Sequence, residues 1–158
     1  MCLSVYIGCE HQFEGLTHSK GSLGLEVASW CPPPLSKFSY VYYAGRKGAD
    51  DKLECSCMLL DHVVWDSSVP HIEADPLYPD HGECPFITLR GFVETASSGG
   101  RPVALLCDDS GGVDQACETS DYDYGVITLD MIRRDNFLFA DPNAEFPWRV
   151  YHLVSGRR

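Results

Sequence analysis

Several features that large function classes depend on are scarce or missing from this sequence. No apolar run approaches the roughly 18 residues a membrane-crossing helix needs, and Met1 to Gly8 lacks the basic region and long apolar stretch of a secretory signal. The expectation is therefore a cytoplasmic chain with no membrane partner. Positive charge is also scarce: 12 Lys and Arg stand against 23 Asp and Glu, a formal net charge of −11. Nonspecific nucleic-acid affinity comes from Lys and Arg displacing counterions, so a nucleic-acid partner is disfavoured. Gly111-Gly112 follows an apolar strand but lacks the further glycines and the lysine that grip phosphate. No G-x-S-x-G nucleophile motif is present. His11, His18, His62, His71 and His152 form no HxxxH ligand pair, and no internal repeat, linker or low-complexity segment interrupts the chain.

Cysteine is better supplied, at eight in 158 residues. That exceeds ordinary usage but falls below the density of small disulfide-stapled secreted scaffolds, and in a cytoplasmic chain it reads as reduced thiols, some simply buried. A domain of this length buries about 70% of its unfolded surface and needs neither metal nor disulfide to fold. The expectation is one globular domain over residues 1–158.

Acidic residues cluster. From Asp50 to Glu83 there are nine acids and Lys52 is the only base; from Pro102 to Met131 there are seven acids and no base. This reads as a solvated acidic face or a surface for a basic partner. A cation site using Asp108 and Asp109 is the sharper alternative, but the segment lacks the alternate acids and closing Glu of a calcium loop.

The patterning predicts an α+β domain with a mostly antiparallel sheet. Leu3 to Ile7 opens it as a strand, and Leu23 to Trp30 follows with one polar face until Cys31-Pro32-Pro33-Pro34 ends it. Phe38 to Ala44 is aromatic and β-branched, and Cys55 to Trp65 is expected to return beside it antiparallel after the turn at Gly45–Gly48. Residues 66–84 read as loop. Phe86, Leu89, Phe92/Val93 and Ala96 recur at helical spacing, so the main helix is expected at about 86–97, entered at Pro85 and left at Gly99-Gly100. Pro102 to Cys107 is a buried strand, with an acidic loop to Tyr124 after it. Thr128 caps a short helix at about 129–134, and Phe137–Ala140 and Trp148–Val154 close the sheet.

The start Met1-Cys2-Leu-Ser-Val-Tyr-Ile-Gly8, the segment Tyr40-Val-Tyr-Tyr-Ala-Gly45 followed by Cys55-Ser-Cys57, and the strand ending in Cys107-Asp-Asp together resemble a group of small uncharacterised bacterial proteins. The aromatic run Asn136 to Phe139 is similar to that group's tail, whereas the charged insert between Tyr-Ala-Gly and Cys-Ser-Cys is longer here. The resemblance implies a bacterial cytosolic protein with this element order and implies no activity.

Three constellations could carry chemistry. Cys2, Cys55, Cys57 and Cys107 are candidate zinc ligands: Cys55 and Cys57 share one face of a strand, and sheet pairing could bring Cys2 and Cys107 beside them. The one-residue spacing is shorter than zinc sites favour, and the fold does not need the ion, so dispersed thiols and no cofactor are expected. Cys2 is also a candidate N-terminal nucleophile, because removal of Met1 would leave an α-amino group to act as base toward the thiol; a retained Met1 blocks this. Cys84 precedes Pro85 at a helix start, where the dipole lowers a thiol pKa, with His81 three residues earlier as candidate base. Each set lacks a complete nucleophile, base and orienting group. The reading the sequence favours is a noncatalytic binding module of inhibitor or immunity type for a basic partner protein, with a cysteine-dependent enzyme and a thiolate zinc protein as the alternatives.

Overall fold

The computed structural model describes residues 4–14, 23–46, 53, 56, 63–64, 71–72, 85–108, 122–134 and 148–153. The architecture is α+β. A mixed six-stranded sheet is built from β1 (Ser4–Cys9), β2 (Leu23–Val27), β3 (Tyr40–Arg46), β6 (Val103–Asp108), β7 (Asp123–Ile127) and β8 (Trp148–Leu153), in the order β2-β3-β1-β6-β8-β7. A separate two-stranded ribbon pairs β4 (Val63–Val64) with β5 (His71–Ile72). All ladders of the large sheet are antiparallel except β7–β8, which is parallel. The helices are α1 (Pro85–Ser97) and the one-turn α2 (Met131–Arg134). Among the described residues no helix is long and apolar enough to cross a membrane.

Central strand β1 is buried on both faces. Val5, Ile7 and Cys9 point one way and pack with Leu23, Leu25, Tyr42, Ala44, Leu105 and Cys107 beneath α1. The helix contributes Leu89, Val93 and Ala96, all fully buried at spacings of four and three that place them on one stripe. Burying each larger apolar side chain stabilises by about 1.5–3 kcal/mol. Gly91 lies on the opposite, exposed side, where its lack of a side chain costs no packing. The helix ends in a 3-10 turn, Ser98–Gly100, in which Gly99 and Gly100 take φ of 74° and 79°. Glycine adopts that left-handed conformation without the Cβ penalty that other residues incur.

On the other face, Tyr6 of β1 packs with Ala104, Leu106 and Val150 under Leu35 and Phe38. The proline run supplies this cover. Pro33–Leu35 forms a 3-10 turn in which Leu35 N–H donates to the Pro32 carbonyl at 2.8 Å and Phe38 N–H to the Leu35 carbonyl at 3.0 Å. That folds the chain back and sets both apolar side chains on the sheet. Phe38 lies over Gly8, where an added Cβ would come within 2.5 Å of the Phe38 ring.

Several expectations are corrected by the topology. Both edges of β3 are taken by β2 and β1, so the described end of the expected return strand, Val63–Val64, pairs not with β3 but with His71–Ile72, and a strand also enters the expected loop at 66–84; the rest of Cys55–Trp65, Ser56 apart, lies outside the described residues. Strand β2 stops at Val27, and Trp30 leaves it to stand edge-on to Tyr6. The expected acidic loop gives way to β7 at Asp123, a strand its sequence hides because Asp123 and Gly125 break the apolar pattern. The short helix starts at Met131, two residues later than expected, with the Thr128 hydroxyl accepting the Met131 N–H at 3.3 Å as its cap. Phe137–Ala140 lies outside the described residues.

The Gly8–Phe38 contact predicts that Gly8→Ala destabilises the protein by about 1–3 kcal/mol, the usual cost of overpacking. Urea denaturation of Gly8→Ala alone and in a Phe38→Leu background tests it. The cost should shrink when the ring is removed; an equal cost in both backgrounds would show that Phe38 does not set the requirement for glycine.

Candidate functional site

Two concave regions lie among the described residues, one on each side of the sheet. On the α1 side, an open groove of about 620 Å³ runs between the β1 exit and the helix, lined by Phe13, Ile87, Arg90, Gly91, Phe92 and Thr95 among others. Phe13 organises its inner wall: its ring meets Tyr42 at 5.2 Å and Phe92 at 5.8 Å, both edge-on, and His11 at 4.7 Å. The Phe13 N–H donates to the Tyr42 hydroxyl at 2.9 Å. Burial pushes the Tyr42 phenol above its ordinary pKa, the Phe13 hydrogen bond opposing it only partly. The phenol is therefore a neutral, structural group.

On the opposite side, a smaller cavity of about 160 Å³ is lined by Ser4, Tyr6, Glu26, Ser29 and Tyr43. Its position follows from strand register. Glu26 of β2 is the direct partner of Tyr43 on β3, and Tyr43 that of Tyr6 on β1. Directly opposite residues project to the same face of a sheet, so these three side chains form one row. The Tyr6 and Tyr43 rings lie 5.2 Å apart at 54°, and Trp30 stands 6.0 Å from Tyr6 at 77°. Glu26 is exposed at the sheet edge.

Of the cysteine and histidine candidates, only Cys107 is among the described residues. It sits opposite Val5 on β6 and is buried in the core beneath α1, at 2% exposure. Cys2, Cys55, Cys57, His81 and Cys84 lie outside the described residues, as does Asp109; Asp108 closes β6 opposite Ser4. Among the described residues no group of three or more His, Cys, Asp or Glu gathers to hold a metal ion. Cys9, which the sequence did not single out, is also buried. Desolvation raises its thiol pKa, and the thiol proton is held on the His11 carbonyl at 3.3 Å, so it is poorly suited to act as a nucleophile.

The residue that the sequence reading missed is the serine between two candidate cysteines. Ser56 is completely buried, and its hydroxyl links the paired residues Val5 and Ala44. It accepts the Val5 N–H at 2.9 Å and donates to the Ala44 carbonyl. A hydroxyl can do both at once, which a thiol or an apolar side chain cannot match. Ser56 is thus anchored to the sheet through its side chain. The only available signal was that serine is the one strongly hydrogen-bonding side chain in an otherwise apolar stretch.

Compared with protein-family models, characterised proteins and solved structures, the chain finds no match. Every residue role here therefore rests on this chain's own geometry.

Two predictions follow from these contacts. Ser56→Ala leaves a buried N–H and carbonyl without the bridging hydroxyl and should cost about 1–3 kcal/mol in urea denaturation; an unchanged midpoint would mean that the two backbone groups close on each other directly. His152, stacked on Tyr124 at 6.3 Å and 4°, has its pKa held below the ordinary value by burial and by Lys37. The folded state thus favours the neutral ring. Its contribution to stability is complete above the unfolded pKa of about 6.5 and is lost as pH falls through the lower folded value. NMR titration should place the His152 midpoint below that of a denatured control, and His152→Phe should flatten the loss of stability on acidification.

Proposed function

We propose that this chain is a noncatalytic binding module that engages a basic partner protein, as inhibitors and immunity proteins do. The observation that carries the reading is the acidic balance of the sequence, a net charge of −11. The sequence has 23 acids to 12 bases; among the described residues Glu10, Glu14, Glu26, Glu94 and Asp130 are exposed, as are Lys37 and Arg46. Two half-buried bases are engaged within the chain: Arg90 pairs with Asp130 at 3.5 Å, and Arg101 donates to the Thr95 carbonyl at 3.3 Å. A net negative charge of this size raises the rate of encounter with a basic surface. A cytoplasmic setting is supported by the Cys9 and Cys107 thiols packed among apolar side chains, an arrangement compatible with reducing conditions.

Capture on the immobilised chain from a lysate of the source organism, followed by kinetics with the recovered protein, tests the reading. A basic partner should bind at about 50 mM salt, with an association rate that falls about tenfold or more by about 0.3 M as the charges are screened. Recovery of no protein, or of the same set on an unrelated acidic protein of equal net charge, would overturn it.

A further inference from the structure

We draw no further inference here: the strongest candidate, the outer strand β7 with Tyr124 and Val126 exposed on the face that also carries His152, is an apolar patch for which nothing in the structure shows what covers it.

Discussion

Strand β1 has no face to give to water, and most of the architecture answers that constraint. Its alternating side chains send Val5, Ile7 and Cys9 to one side and Tyr6 to the other, and all four are buried. A strand like this needs neighbours on both edges to satisfy its backbone and cover on both faces to bury its side chains. Strands β3 and β6 provide the first. Helix α1 covers one face, and the folded-back proline turn covers the other with Leu35 and Phe38. Gly8 is the position where that second cover comes closest, and Phe38 occupies the volume a side chain would have taken.

The two covers are built differently, and this separates the two faces chemically. The helix gives continuous apolar burial from Leu89, Val93 and Ala96, which leaves little room for chemistry beneath it. The proline turn is short and covers the sheet from Gly8 toward Ala104 and Leu106. Toward β2, the same face instead carries Tyr6, Tyr43 and Glu26 around a cavity. The smaller of the two concave regions therefore occurs where the short cover ends, and strand register decides which side chains line it.

The charge of the molecule acts at longer range than either cover. A field of that kind is broad and is screened over about 8–10 Å at ordinary ionic strength, so net charge by itself gives no docking position.

The local periodicities of the sequence determined the class of the protein and most of its elements. The helix stripe at Leu89, Val93 and Ala96, the β-branched and aromatic run around Tyr42, the apolar strand ending at Cys107 and the cap at Thr128 are all short-range patterns, readable because they depend on neighbours within a turn or a strand. Strand β7 was not legible, because an edge strand containing Asp123 and Gly125 is stabilised by its parallel pairing with β8, some twenty residues further along the chain. The partnership of Ser56 with Val5 and Ala44, 51 and 12 residues away, was likewise invisible, so attention fell on the cysteines beside it. The same holds for the row of Glu26, Tyr43 and Tyr6. Each residue is an ordinary member of its own strand, and only the register of two antiparallel ladders makes them neighbours. Charge and secondary structure are properties of sequence composition and short spacing; the placement of side chains from distant segments around one cavity is a property of how the strands pair, which only the tertiary structure decides.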